Sequence, residues 1–322
     1  MTAVAADPPD QNVPGHYGDP YREQRLLASG TGAVDLSHRP VVRIAGPDRL
    51  SWLHSLLSQH VANLQPGEST EALVLSPHGH VEHHLHLVET GTEVLAHVEP
   101  GTAEDLLTFL ERMRFMLRVE VSRAPELAVV WVPAGGPELA TDTGFGRYLF
   151  VPRDDVAALV APAPAGVMAL EALRVEARRP RLGLDTDHRT LPHEVGWLGS
   201  AVHLDKGCYR GQETVARVHN LGRPPRRLVL LHLDGSDSEL PPPGTPVQLG
   251  ERDIGRLGTS VRHHELGPIA LALVKRQVPD DAELLVGGVA AAIDPAGGPG
   301  EPESPARAAA DARTGLLRLP RN

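Results

Sequence analysis

The chain has a single cysteine, Cys208, among its 322 residues. One cysteine excludes an intramolecular disulfide, and it excludes a zinc or iron–sulfur cage built from several thiolates of one chain. Lysine is almost as scarce, because Lys206 and Lys275 are the only two and arginine supplies the rest of the positive charge. Aromatic residues make up 3% of the chain, which argues against platforms that stack nucleic-acid bases.

Basic residues are fewer than acidic ones, and the formal net charge is −10. A broad footprint on nucleic acid is therefore not expected, although Arg223, Arg226 and Arg227 leave a local basic patch open. No apolar run approaches the ~18–20 residues that span a bilayer. Residues 1–20 lack the basic start and the apolar core of a signal peptide. We expect a cytoplasmic protein that does not engage a membrane.

Strands interleaved with helices and hairpins over the first two thirds of the chain are typical of an α+β domain, predicted here for residues 23–224. A leader over residues 1–22, rich in Pro, Gly and Asp, is expected to be disordered. After a linker near Gly222–Pro225, short strands separated by turn residues predict a small β-barrel over residues 225–295. A tail over residues 296–322 is expected to be mostly disordered.

Residues 206–213 read Lys-Gly-Cys-Tyr-Arg-Gly-Gln-Glu and concentrate three scarce residue types. A helix is predicted from Gln212 onward, so Cys208 would lie just before a helix N-terminus, where free N–H groups favour an anion. With Lys206 and Arg210 nearby, Cys208 becomes a candidate catalytic thiolate and Lys206 its candidate partner. The alternative is a buried structural cysteine.

This octet resembles the signature of the YgfZ-type folate-binding proteins, which are relatives of the glycine-cleavage T-protein, an aminomethyltransferase. The resemblance continues through Leu173–Glu176, Leu191–Glu194 and Glu213–Arg217. It implies a T-protein-like domain followed by a C-terminal barrel, with tetrahydrofolate or a derivative as ligand. It also implies assembly or repair of iron–sulfur clusters, with client enzymes or cluster-assembly proteins as partners and an indirect effect on tRNA modification.

The resemblance also suggests ligand-binding residues. Glu194, in Leu-Pro-His-Glu, matches the family carboxylate that holds the pterin ring, and a carboxylate can accept two N–H donors from an aminopyrimidine edge. Its alternative is a solvated loop glutamate. Further candidates for the folate site are Arg174, Tyr209, Gln212 and His84. Arg174 could equally be part of a solvated pair.

The histidine-rich segment 78–86 departs from the T-protein pattern. Where the T-protein has two adjacent aspartates, one of them its key catalytic acid, this chain has His83 and His84. A neutral imidazole cannot supply the fixed negative charge, which argues against aminomethyl transfer. A tetrahydrofolate-dependent one-carbon transferase nevertheless stays as the first alternative function.

Zinc binding is the second alternative. Strand alternation predicts His80, His84 and His86 on one face, with Glu82 beside them, and three histidines on one face can bind zinc. The competing interpretation is a polar hairpin face without a metal.

Overall fold

The computed structural model describes residues 2–136, 139–221, 223–236 and 239–295. Its α-helices are α1 (Pro20–Ala28), α2 (Arg49–Leu56), α3 (Ala103–Arg114), α4 (Val156–Val160), α5 (Val167–Glu176) and α6 (Gln212–Leu221). Its strands are β1 (Val4–Ala5), β2 (Pro14–His16), β3 (Ala33–Asp35), β4 (Val41–Ala45), β5 (Ser69–Leu75), β6 (Val81–Glu89), β7 (Glu93–His97), β8 (Glu120–Arg123), β9 (Leu127–Val132), β10 (Ala140–Asp142), β11 (Arg147–Pro152), β12 (Pro164–Ala165), β13 (Arg226–Leu233), β14 (Pro246–Leu249), β15 (Arg252–His263), β16 (Gly267–Lys275), β17 (Glu283–Val286) and β18 (Val289–Ile293). Single 3-10 turns occur at Arg153–Asp155 and Pro192–Glu194. The expected disordered tail lies outside the described residues.

The first sheet has the strand order β5-β6-β7-β4-β8, and its neighbouring strands are antiparallel. Alternating residues of these strands point to opposite faces. One face carries Val74, Leu85 and Leu87 against the apolar sides of α2 and α3. The opposite face carries Glu71, His84 and His86. This face is also covered, so the core is not purely apolar there.

The second sheet has the order β10-β11-β9-β3-β12, with a parallel pair at β3 and β12. Trp131, Tyr148 and Phe150 of this sheet pack in one cluster with Leu170 and Leu173 of α5. The same cluster includes Val41, Val88 and Leu95 of the first sheet. The two sheets therefore meet across a shared core, beside α5.

The C-terminal strands close into a six-stranded barrel, β13-β16-β15-β14-β17-β18. Its interior holds aliphatic residues such as Leu231, Leu257 and Val274. Leu228 and Leu271, on its outer side, join a cluster with Leu73 of β5 and Trp197. The α+β class and the C-terminal barrel predicted from the sequence are both present. No helix in the described part of the chain is long and apolar enough to cross a membrane.

The N-terminal segment differs from the disordered leader expected over residues 1–22. Residues 4–5 and 14–16 pair as strands β1 and β2, and Val13 is buried. Asp10 accepts two hydrogen bonds from Arg181, at 2.8 and 3.0 Å. Composition alone did not show that this segment would be ordered, because the partners of Asp10 are distant in sequence: His38 lies 28 residues and Arg181 lies 171 residues further along the chain.

Candidate functional site

Lys206, the predicted catalytic lysine, reaches the C-terminal end of α2. Its ammonium donates to the backbone carbonyls of His54 and Leu57, and to that of Gln59 at 3.3 Å. An ammonium carries three N–H donors, so each donor has an acceptor here. Burial lowers the pKa of Lys206 to about 8. The lysine therefore holds the end of α2 and the segment after it.

Tyr209 and Gln212, two of the predicted folate ligands, stabilise the octet itself. Tyr209 is buried in the cluster that joins β5, Trp197 and the barrel, and burial raises the pKa of its phenol to about 12. The side-chain oxygen of Gln212 accepts the backbone N–H of Tyr209 at 2.9 Å. Neither residue lines the pocket described below.

Cys208, the candidate thiol, is exposed. This placement contradicts the alternative of a buried structural cysteine. Gly207 beside it has no heavy atom within 4 Å of the position where a Cβ would lie. The thiol therefore lies on an open loop where other molecules can reach it.

A narrow pocket lies between the two sheets and α5, and we call it the central pocket. Four arginines, two glutamates, two histidines and three aromatic residues contribute to its lining: Arg39, Arg174, Arg179, Arg181, Glu71, Glu99, His84, His86, Phe145, Tyr148 and Trp197. A wider cleft beside α4, lined by Tyr17, Asp35 and Arg153 among others, contains none of the predicted site residues. The central pocket is therefore the candidate site.

Strand register explains why the polar residues gather. Glu71 of β5 pairs across from His86 of β6, which in turn pairs with His97 of β7. His84 lies two residues before His86 and so shares its face. His84 Nε2 lies 3.0 Å from Glu71 Oε2, and its ring centroid is 4.5 Å from that of Trp197. One row across three strands thus presents a carboxylate and imidazoles to the pocket.

The charge states in this row have clear causes. Burial raises the pKa of Glu71, but the hydrogen bond to His84 and nearby positive charges outweigh it and bring the pKa to about 2. Burial holds the pKa of His86 and His97 well below the usual range. At neutral pH the ionised Glu71 carboxylate therefore lies beside the neutral imidazoles of His86 and His97.

Arg174, another predicted ligand-binding residue, does line the central pocket but is fully engaged. Its guanidinium donates to Glu171 at 2.7 and 3.0 Å, to Asp185 at 2.8 Å and to Thr259 of β15 at 2.7 Å. It also donates to the backbone carbonyl of Arg179. A guanidinium has five N–H donors, and all five have acceptors. Arg174 connects α5 to the barrel, and it can contact a ligand only by giving up one of these bonds.

Glu194, the predicted pterin carboxylate, lies in a different ion-pair cluster. The Nε and Nη2 atoms of Arg226 donate to its two carboxylate oxygens at 2.9 and 2.8 Å. The backbone N–H of Leu191 donates to the same carboxylate. Arg226 also pairs with Asp187 at 2.6 Å. Glu194 is thus buried with a two-donor partner already in place.

Two of the residues predicted to share a zinc-binding face, His80 and Glu82, do not share it with His84 and His86. The pairing of β5 with β6 shifts register between Val74 and Leu75, which leaves Glu82 as an extra, exposed residue. Such a bulge interrupts strand alternation, so His80 is out of phase with His84. Glu82 instead pairs with Arg210 at 2.8 Å. Among the described residues, the group with metal-ligand spacing is Glu71, His84 and His86.

Sequence reasoning missed most of the central pocket. Its unpredicted charged residues are Arg39, Glu71, Glu99, Arg179 and Arg181. They come from separate strands and loops with no shared motif. The one available signal was the charged residue Glu71 directly before the apolar run 72–75 of β5.

Comparisons with known proteins agree with this architecture. Residues 226–297 match the family model described as the CAF17 C-terminal beta-barrel domain. The C-terminal barrel thus resembles the CAF17 barrel domain, and it follows a T-protein-like domain. Over 317 residues the chain is 27% identical to an aminomethyltransferase of Rubrobacter xylanophilus, covering 85% of this chain and 84% of the relative. The resemblance to the YgfZ-type proteins and to the T-protein is thereby confirmed.

Two further comparisons show how much of the chain the resemblance covers. A chloroplastic protein of Arabidopsis thaliana, named as a candidate transferase, is 24% identical over 292 residues. The match covers 77% of this chain and 66% of the plant protein, just under two thirds of its length. The crystal structure of the glycine cleavage system aminomethyltransferase T from Bartonella henselae superposes with a TM-score of 0.76, at 18% identity, over 90% of this chain and 92% of that one. This likeness shows the fold, and the T-protein-like fold predicted from the octet is confirmed.

Proposed function

We propose that this CAF17-domain protein binds a reduced folate and assists the assembly or repair of iron–sulfur clusters in client enzymes. The T-protein-like fold, the CAF17 barrel and the aminomethyltransferase relatives support the folate part. The iron–sulfur part, its client partners and the indirect effect on tRNA modification rest on the resemblance of the octet to the YgfZ-type proteins.

The observation that carries the folate proposal is the pair formed by Glu194 and Arg226. Arg226 presents two parallel N–H donors to the two carboxylate oxygens. The aminopyrimidine edge of a pterin presents the same two-donor pattern, so it could replace the guanidinium bond for bond. Asp187, already paired with Arg226 at 2.6 Å, would retain the displaced side chain. The guanidinium is thus a stand-in for the pterin edge.

The central pocket has a free volume of about 30 Å³ and would have to open to admit the rest of the ligand, but its lining offers suitable groups. Tyr148 and Trp197 offer aromatic faces, and Arg39 and Arg179 offer positive charge for the glutamate carboxylates of a folate. A bound tetrahydrofolate would supply nitrogen atoms able to carry a one-carbon unit. The residues of this chain would bind and orient it.

Aminomethyl transfer by the T-protein route is not part of the proposal. His84 and His83 are both buried, and of the two only His84 lines the central pocket. Burial lowers the pKa of His83, so it does not provide a fixed charge. We expect no turnover near the ~1 per second of ordinary enzymes with lipoyl-carrier substrate and tetrahydrofolate. Turnover at that rate would establish the one-carbon transferase alternative.

Calorimetric titration with a stable reduced folate tests the binding site. We expect Glu194→Gln to weaken binding roughly ten- to hundredfold, because a charged hydrogen-bond acceptor is lost. Arg226→Met, which removes the competing donor, should bind at least as tightly as wild type if circular dichroism shows that it folds. Equal affinities for wild type and Glu194→Gln would remove Glu194 from the site, and absence of saturable binding by wild type would refute the folate proposal.

The iron–sulfur role needs a cellular test. In a strain lacking the protein, activities of iron–sulfur enzymes should fall, and the wild-type gene should restore them. The Glu194→Gln variant should restore them poorly if folate binding is required. Unchanged enzyme activities in the deletion strain would contradict this part of the proposal and leave folate binding standing.

A further inference from the structure

The row Glu71, His84 and His86 combines the donor types of a transition-metal site. One ligand atom from each residue lies within 4.8 Å of the others. All three come from the paired strands β5 and β6, so backbone hydrogen bonds hold their Cα positions. Two imidazoles and one carboxylate form a known three-residue ligand set for Zn²⁺ and for Fe²⁺, with further positions open to solvent or substrate.

Among the described residues, buried ring nitrogens of His86 and of the neighbouring His97 lack hydrogen-bond partners. The Nδ1 atom of His86 has no hydrogen-bond partner among the described residues, and neither ring nitrogen of His97 has one there. The His86 and His97 rings stack with centroids 4.7 Å apart and planes only 6° from parallel. Buried polar atoms without partners are costly and call for an explanation. A ligand or ion bound beside these rings would supply one.

The local charge balance tolerates a cation. Arg39, Arg174, Arg179 and Arg181 form ion pairs with the carboxylates Asp10, Glu71, Glu99, Glu171 and Asp185. Four guanidiniums and five carboxylates take part in these pairs. Arg179, whose Nη1 lies 3.3 Å from Glu71 Oε1, is the direct competitor for the carboxylate.

We propose that Glu71, His84 and His86 bind a divalent transition-metal ion, with zinc as the reference ion. The Nε2 of His84 and the Oε2 of Glu71 are already 3.0 Å apart, close to the roughly 3.4 Å between ligands of tetrahedral zinc at about 2.1 Å. The ligand atom of His86 lies within 4.8 Å of both and must move inward to complete the set. His97 stacks behind it as a second ring. All three residues line the central pocket, and the proposal does not depend on folate binding.

A titration of chelator-stripped protein with Co²⁺, followed by Zn²⁺, tests this site without any activity assay. Wild type should bind one equivalent of Co²⁺ with visible d–d absorption, and Zn²⁺ should abolish that absorption. Glu71→Gln and His84→Gln should each weaken binding roughly a hundredfold. His86→Asn serves as a second ligand variant if one of these does not fold, as judged by circular dichroism.

Three control variants sharpen the result. His80→Gln, in the same hairpin but out of phase, should bind the metal like wild type. Arg179→Met should bind it several-fold more tightly, because the competing cation is gone. Glu194→Gln should leave metal affinity unchanged, which separates this proposal from the folate site. Absence of Co²⁺ absorption in wild type, or equal losses in His80→Gln and His84→Gln, would overturn it.

Discussion

The scarcity of lysine singles out Lys206 but does not say what the residue does. The sequence suggests that lysine meets a need that arginine does not, and the structure offers one: a compact ammonium among three carbonyl oxygens. A planar guanidinium cannot direct its donors to three convergent acceptors in the same way. The placement supports a structural role for Lys206.

The Lys206→Arg variant should therefore be less stable than wild type. We expect a loss of about 1–3 kcal/mol in the free energy of unfolding, because carbonyls at the end of α2 lose their donor. Urea unfolding measures it. Lys275→Arg is the matched control, since the other lysine of the chain is exposed and donates to a single carbonyl, that of Asp253. Equal stabilities of the two variants would contradict this role.

Exposure of Cys208 leads to a second prediction at the residue scale. Iodoacetamide should label this thiol in the native protein at a rate within a fewfold of that in the denatured protein, because the side chain is already accessible. The Cys208→Ser variant should fold and bind folate like wild type. If the thiol acts on sulfur or clusters, the variant should fail to restore iron–sulfur enzyme activity in a strain lacking the protein; full restoration would show that the thiol is dispensable.

At the scale of elements, the octet loop packs against the β5–β6 hairpin. Gly211 has φ +82°, and a Cβ there would lie 2.5 Å from the carbonyl oxygen of Ser76 and 3.0 Å from Gly79 Cα. Gly79 in turn has φ +77°, and a Cβ there would lie 2.8 Å from Thr214. The two turns can approach this closely only because both positions lack a side chain. This contact sets the octet against the hairpin that carries the histidines.

Gly211→Ala should consequently destabilise the protein by about 2–4 kcal/mol, which combines left-handed backbone strain with overpacking. Gly207→Ala, in the same octet, should change stability little, because its added Cβ would meet open space. Thermal unfolding of the two variants side by side measures the difference. Similar melting temperatures for both would show that the loop can move away from the hairpin.

At the scale of the whole molecule, buried ion pairs connect segments that are distant in sequence. Arg181 pairs with Asp10 of the N-terminal segment, with Glu99 after β7 and with Glu171 of α5. Arg174 extends the same network to Thr259 of the barrel. Removing one partner from such a network leaves a buried charge, which is more costly than losing an exposed pair.

Acid should weaken this network in a defined range. Burial raises the pKa of Glu99, but Arg181 and Arg39 outweigh it and lower the pKa from 4.5 to about 2. Because the folded-state value lies below the unfolded one, the stabilisation is complete above about pH 4.5 and disappears as the pH falls towards 2, by an amount on the order of 3 kcal/mol. Urea unfolding at several pH values measures this slope.

Two variants attribute the slope to Glu99. In Glu99→Gln the stability should be lower at neutral pH and should change less between pH 4.5 and 2. Glu104→Gln, which removes an exposed ion pair with Arg123, should keep the wild-type slope. An unchanged slope in Glu99→Gln would assign the acid sensitivity to other carboxylates.

The sequence by itself determined the α+β class, the C-terminal barrel and the kinship with the T-protein, because these depend on local patterns and on a contiguous motif. Only the tertiary structure decided what faces the central pocket. A single bulge in β6 removed Glu82 and His80 from the histidine face, and strand register brought in Glu71. Arg226, whose guanidinium pairs with the Glu194 carboxylate, belongs to the barrel and lies 32 residues further along the chain. Such pairings depend on how separate elements pack together, and the periodicity of one stretch of sequence does not predict them.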